Sequence, residues 1–317
     1  MTKKISPISA VHIVTRNVTP AAVKAIISKA HALGVDTVIL GVCWFGSTKL
    51  ISMPWVTDPN AWTPEDIRDV VSYTKSLGME VVPQIKLLSG ADNLLVGARD
   101  DLLYNRTTYD PSNEGVYDAV FSILNELIYL FDDPKAFHIG HDEVNGWRQE
   151  HYDGERLNEG DSLLPASMFL YDVVRLNDFL TRKGIETWMW GDMLISRDEF
   201  PTMKADGALH FNMESNGYGR ILRSQIPKNI VICDWHYRDL QADFPSLKAF
   251  AEEGFRVLGG TWLVPETIDR FTKYASEHSA SGMISCLWYY VQRDDQETID
   301  TILGNSSSAF VEYFEDG

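Results

Sequence analysis

Eight apolar, strand-like runs alternate with amphipathic, helix-like segments from one end of the chain to the other. No linker, low-complexity tract or internal repeat breaks the series. The runs are VHIVT (Val11 to Thr15), TVILGV (Thr37 to Val42), EVVPQIKL (Glu80 to Leu87) and AFHIGHDEV (Ala136 to Val144). They continue with ETWMWGDM (Glu186 to Met193), IVICDWHY (Ile230 to Tyr237), RVLGGTWL (Arg256 to Leu263) and GMISCLWYY (Gly282 to Tyr290). Helix signals separate them. Pro20 opens a helix that Gly34 closes, Thr63-Pro64-Glu65 caps a second that ends at Gly78, and helical patterns run over Glu114 to Phe131 and Ser167 to Lys183. Shorter ones cover Pro245 to Glu253 and Pro265 to His278, while ALHFNME (Ala208 to Glu214) is a spare candidate strand between the fifth and sixth runs.

Such an alternation predicts an α/β protein: a single (β/α)8 TIM barrel over residues 1–317. A doubly wound open sheet is the alternative, but it normally carries a glycine-rich phosphate turn after its first strand, and VHIVTRNVTP has no glycine. The long loops follow the second to fifth runs, and the helix-to-strand connections are short. In a barrel this elaboration marks the C-terminal face of the strands as the place of the active site.

The residues at that face are unusual when taken together. The fourth run ends in His141, Asp142 and Glu143, the fifth in Trp190 and Asp192, and the sixth in Asp234, Trp235, His236 and Tyr237. The seventh carries Trp262, the eighth Trp288, Tyr289 and Tyr290, and the second Cys43, Trp44 and Phe45. A single Trp in such a place belongs to the core. Five at the same end of five strands line a mouth with flat apolar faces and N–H donors, which suits sugar rings.

Adjacent carboxylates at a strand tip repel each other, so Asp142 and Glu143 call for a chemical reason. Glycosidases that use an acid and a nucleophile need them on opposite sides of the scissile bond, normally from separate strands. An adjacent pair fits one acid plus one residue that orients a neighbouring group. Substrate-assisted hydrolysis has that form: the sugar's acetamido group is the nucleophile, Asp holds it and Glu protonates the leaving oxygen.

Composition narrows the partners. A net charge of −17 disfavours nucleic acids and anionic membrane surfaces, and no stretch approaches a membrane span. Cys43, Cys233 and Cys286 are odd in number and lie in apolar runs, which suggests reduced, buried thiols. The N-terminus, MTKKISPISAVHIV, has no apolar signal-peptide core. A cytoplasmic location is expected. Nothing in the sequence sets the oligomeric state.

His138-Ile139-Gly140-His141-Asp142-Glu143-Val144 resembles the His-x-Gly-Gly-Asp-Glu motif of family 20 glycoside hydrolases, the β-N-acetylhexosaminidases. The likeness covers nearly the whole chain, without the small α+β domain that often precedes that barrel. It implies Glu143 as general acid/base and Asp142 as the residue that polarises the 2-acetamido group. It also implies Trp190, Trp235 and Trp288 as the walls around the sugar, with no metal and no other cofactor. His141, Asp192, Tyr237, Trp262 and Tyr290 complete the expected substrate contacts, the partner being a carbohydrate. The departures are specific. His141 stands where the motif has Gly, ISAVHIVT lacks the family's first-strand Arg, and the third run continues into Lys86-Leu87-Leu88-Ser89-Gly90 in place of Pro-Gly-His. Trp288-Tyr289-Tyr290 puts a Tyr where the family has Trp-x-Glu.

Two other readings remain open on the sequence. His12, His138, His141, Asp142, Glu143, Asp192, Asp234 and His236 lie near strand ends, as ligands do in metal-dependent barrel hydrolases and isomerases, although neither His-x-His nor His-Glu-x-x-His occurs. A non-catalytic carbohydrate-binding barrel accommodates the missing Arg and Glu but gives no reason for the adjacent carboxylates. Trp147 and Tyr152, after the motif, cover the site or pack locally.

Overall fold

The structure, a computed structural model, describes residues 6–95, 98–144, 164–196, 199–200, 217–288, 291, 293 and 295–315. Tyr289, Tyr290, Trp147, Tyr152 and the spare strand at 208–214 lie outside the described residues. The eight barrel strands are β1 (Ile8–Val14), β2 (Thr37–Gly41), β3 (Glu80–Leu87), β4 (Ala136–Gly140), β5 (Glu186–Trp190), β6 (Val231–Trp235), β7 (Arg256–Thr261) and β8 (Gly282–Cys286). Each pairs in parallel with its neighbours, and β1 pairs with both β2 and β8, so the sheet closes. This is the (β/α)8 barrel that the alternation predicts.

The helices of eight residues or more among the described residues are α1 (Pro20–Ala32), α2 (Pro64–Ser76), α3 (Glu114–Leu130), α4 (Ala166–Thr181), α5 (Tyr218–Gln225), α6 (Pro245–Glu252), α7 (Pro265–Glu277) and α8 (Gln296–Phe310). Thr19 caps α1 by accepting from the Ala22 N–H, and Thr63 with Asp66 forms a full capping box on α2, each followed by Pro at the first helical position. α5 and α8 fill the two places where no helix is evident from the sequence. Among the described residues no helix is long and apolar enough to cross a membrane.

Strand alternation divides the core in two. One face of each strand packs outward against the helices, as with Ile13, Leu40, Ile85, Phe137, Met189, Ile232 and Val257. The other face fills the barrel with Ala10, Ile39, Val82, Ala136, Trp188, Val231, Leu258 and Ile284 at the base. Trp190, Trp235, Tyr237, Cys286 and Trp288 fill it towards the C-terminal end.

Apart from β3, the strands end before the sequence runs do, where the backbone leaves extended geometry at their C-terminal ends. Gly140, His141 and Glu143 have φ of 76°, 66° and 51°, and Cys43, Leu88 and Trp288 also have positive φ, at 65°, 64° and 39°. Left-handed backbone at non-glycine residues is strained, and here it clusters at one end of the barrel. Between β3 and β4 the register shifts: Gln84 pairs with His138 but Leu87 with Gly140, so β3 carries one extra residue. A Cβ at Gly140 would lie 2.9 Å from both Ile85 O and Lys86 Cα, so only glycine lets the bulged strand come this close.

Candidate active site

Asp142 and Glu143 follow the end of β4, and the bulge in β3 brings Lys86 to them. The Lys86 ammonium donates to Asp142 Oδ2 at 2.9 Å and to Glu143 Oε2 at 3.2 Å, with only 6% of the lysine side chain exposed. The repulsion between neighbouring carboxylates is thus answered by one cation shared between them. Trp44 packs near this ammonium, 5.7 Å from it to the ring centroid. Asp142 Oδ1 is buried and has no hydrogen-bond partner among the described residues.

Asp192, in the short turn after β5, accepts the Glu143 backbone N–H at 2.9 Å and the Trp235 Nε1–H at 3.4 Å. Burial, then the charge of Asp142, pushes its carboxyl well above the usual range, towards the protonated form. Asp192 therefore holds the tip of β4 through the backbone of Glu143.

The aromatic wall is assembled as the strand ends predict. Trp190 and Trp288 lie 6.0 Å apart between ring centroids, and Trp235 stacks on Tyr237 at 4.6 Å. Tyr237 meets Trp262 edge-on at 5.5 Å, and Trp44 meets Trp288 at 6.0 Å. Trp190 Nε1 is buried with no partner among the described residues.

Beneath the wall lies a polar layer. Gln84 Oε1 accepts from Trp44 Nε1 at 3.3 Å and faces His12 Nε2 at 3.4 Å, while His138 Nδ1 accepts the Gly140 N–H at 3.1 Å. Burial pushes His12 down to about 4, and burial with the neighbouring histidines His12 and His141 pushes His138 well below its ordinary value. Both rings are therefore neutral and pack against Trp190, at 5.9 and 4.6 Å.

His141 does not join the site. A substrate contact is expected of it, yet its ring is fully buried on the outer side of the barrel, where Nε2 faces Asp172 Oδ2 at 2.8 Å and Nδ1 faces Ile139 O at 3.1 Å. Two consecutive left-handed residues, Gly140 and His141, undo the alternation that would have turned it inward. Asp234 and His236 are also outside, against α6 and α7. His236 Nδ1 faces Asp239 at 2.6 Å, its Nε2 faces Ser246 Oγ at 3.0 Å, and its ring packs on Phe244 and Phe271. Among the described residues, no three His, Cys, Asp or Glu side chains are grouped as a metal centre requires. The place between Asp142 and Glu143 that a cation would take is filled by Lys86.

Sequence reasoning passes over Lys86 as an active-site group, although the signal is present. In Glu80–Leu87 the polar residues Gln84 and Lys86 share the inward face, and a lysine there needs carboxylate company. Asp172 is likewise missed, though it interrupts the apolar stripe Phe169, Val173, Leu176 on α4.

The catalytic-domain model of glycosyl hydrolase family 20 matches residues 45–302, well over half of the chain. The barrel superposes on a chitobiase of Flavobacterium johnsoniae with a TM-score of 0.62 at 15% identity, covering 96% of this chain and 52% of that one. On an exo-β-N-acetylglucosaminidase of Vibrio harveyi, solved in complex with N-acetylglucosamine, the TM-score is 0.67 at 17% identity, with 96% and 54% covered. On dispersin B it is 0.59 at 17% identity, with 99% and 100% covered. The chain thus spans about half the length of the first two and all of the third, and at these identities the likeness is one of fold. With the family model, the closed barrel and the Asp142–Glu143 tip in agreement, the chain belongs to glycosyl hydrolase family 20.

Proposed function

We propose that this barrel cleaves a β-linked N-acetylhexosamine with retention, using the substrate's own acetamido group as nucleophile. The observation that carries the reading is Asp142. One of its oxygens is held by Lys86, and the other is buried and unpartnered among the described residues, an acceptor ready for a donor that they do not supply. The acetamido N–H is such a donor. As it bonds to Asp142 Oδ1, its carbonyl oxygen is drawn towards C1, and the positive charge of the resulting oxazolinium develops beside a carboxylate. Glu143, which must take up a proton before the step, gives it to the departing glycosidic oxygen, then takes a proton from the water that opens the ring at C1. Trp190, Trp235 and Trp288 supply apolar faces for the sugar, with Tyr237 and Trp262 behind them. Tyr290, outside the described residues, remains a proposed contact. Family membership and the names of the fold's neighbours, two of them a chitobiase and an exo-β-N-acetylglucosaminidase, support the same reading. The three free, buried cysteines fit the reducing cytoplasm that we propose as its location.

The test is a panel of nitrophenyl glycosides of GlcNAc, GalNAc and non-acetylated sugars, with and without chelator. Hydrolysis is expected only for the acetylated sugars and independent of chelator. Glu143→Gln lowers kcat by about 10²–10⁴-fold, the usual range for a general acid, and leaves the fold intact. A thiazoline analogue of the cyclised intermediate binds the protein, and Asp142→Ala weakens it. Full activity in Glu143→Gln, or activity lost to a chelator and restored by a divalent ion, refutes the proposal.

A further inference from the structure

His141 sits immediately before Asp142 with φ of 66°, a conformation that costs any residue with a Cβ and costs glycine little. The related motif has glycine there. A histidine is kept in this place only if its ring contributes more than the backbone loses, and the surroundings show where that contribution comes from.

The ring faces Asp172 of α4 at 2.8 Å, and Asp172 is itself fully buried. Two tyrosines complete its coordination: Tyr109, from a short hairpin after β3, donates to Oδ2 at 2.9 Å, and Tyr117 of α3 donates to Oδ1 at 2.8 Å. Burial, then the Asp172 charge, pushes the Tyr109 hydroxyl well above its ordinary value, and the same two causes raise that of Tyr117. Both hydroxyls therefore stay protonated and able to donate. The Arg175 guanidinium covers the Tyr117 ring at 3.6 Å and pairs with Glu114 at 2.5 Å. One carboxylate thus ties the tip of β4 to the hairpin, α3 and α4.

We infer that His141 and Asp172 form a brace that fixes the direction in which Asp142 and Glu143 leave the barrel. His141 acts as a positioning residue in the hydrolysis, although its own ring never meets the substrate. The inference rests on the reading of Asp142 and Glu143 as the reacting pair. On the inner side, Lys86 and Asp192 hold the side chains and the Glu143 N–H. On the outer side, the His141 ring sets the peptide from which both carboxylates hang. Reacting groups tolerate little displacement: a shift of about 1 Å costs about 10²-fold in rate. An unbraced left-handed turn followed by another left-handed residue, Glu143, leaves that much freedom.

His141→Gly is the direct test, because glycine accepts the backbone geometry and removes only the ring. Asp172→Asn keeps the shape and removes the charge. Both variants are expected to lose about 10–100-fold in kcat with KM changed by less than about 3-fold, and to lose affinity for the thiazoline in proportion. The double variant is expected to be no worse than the poorer single one, since both break one link. Lowered thermal stability with unchanged kcat per folded molecule and unchanged thiazoline affinity overturns the brace and leaves a purely structural network. Wild-type protein that neither turns over nor binds the thiazoline counts against the reading of the pair. The brace is then judged by amide exchange at residues 139–144: faster exchange in His141→Gly supports it, and equal exchange overturns it.

Discussion

Replacing Lys86 with Met leaves a side chain of similar length in the same place and removes the one charge shared by two carboxylates. The contacts are 2.9 Å to Asp142 and 3.2 Å to Glu143, and the three side chains are only 6%, 9% and 13% exposed. With an effective dielectric of about 20, a unit-charge pair at these separations attracts by about 5 kcal/mol, most of it offset by the cost of taking the charges out of water. The substitution removes the attraction and leaves the carboxylates in their dry setting, beside an Asp192 already driven towards its protonated form by burial and by Asp142. Removing one partner of a buried pair costs about 3–5 kcal/mol, and we expect that range for Lys86→Met. Asp142→Asn alone also destabilises, because Lys86 loses one of the two carboxylates described beside it. The two together are expected to lose about 2 kcal/mol less than the sum of the single losses, the coupling typical of charges in direct contact. Urea unfolding of the four proteins in one buffer measures it. Losses that add within about 0.5 kcal/mol mean that the ammonium is not bonded to Asp142, and the account of the free Oδ1 falls with it.

The cluster behind β6 makes the fold sensitive to alkali. Burial alone would lower the His236 value, but Asp234 and Asp239 outweigh it and hold the imidazolium up to about 9. A folded-state value above the unfolded value of about 6.5 stabilises fully below that pH and fades as pH rises through about 9, a loss of about 3 kcal/mol in all. His236→Gln removes that slope from a plot of urea-derived stability against pH, and a slope that persists in the variant assigns it to another group. Gly140→Ala is expected to cost about 3 kcal/mol in the same unfolding assay, from a left-handed φ of 76° and a Cβ placed 2.9 Å from the β3 backbone. Gly34→Ala, at φ 84° with nothing within 4 Å, should cost about 1 kcal/mol, and equal losses at the two positions would remove the close approach as the cause.

How much of this was legible in the sequence follows from the reach of the signals used. The barrel was legible because each strand and each capped helix is a local pattern: β3 has the bounds Glu80–Leu87 that its composition implies, and Thr19 and Thr63 cap where they should. The aromatic wall followed in part from the same alternation, since Trp190 and Trp235 face inward on regular strands, while Trp288 joins them from two residues past the end of β8, at φ 39°. Alternation stops being a guide where the backbone turns left-handed, and that is where the His141 ring turns to the outer side of the barrel. Asp234 and His236 stand out of phase with Trp235, so the period of two already puts them behind the wall. The meeting of Lys86 with Asp142 depends on a register shift between two strands about fifty residues apart in sequence, and no local pattern encodes that.

The indoles at the mouth also make the protein its own optical probe. Trp44, Trp190 and Trp288 stand about 6 Å from one another in sequence of contact, close enough for excitation to pass between them before it is emitted. Light absorbed by any of the three is shared by all, so the proposed sugar contacts predict that binding at one indole changes the emission of the group. Imidazolium quenches indole fluorescence whereas neutral imidazole does so far less, and His12 packs against both Trp190 and Trp288. With His12 held neutral down to about pH 4, that emission stays bright across the range in which an enzyme is assayed. The polar floor beneath the pocket thus spares Trp190 and Trp288 from quenching by His12.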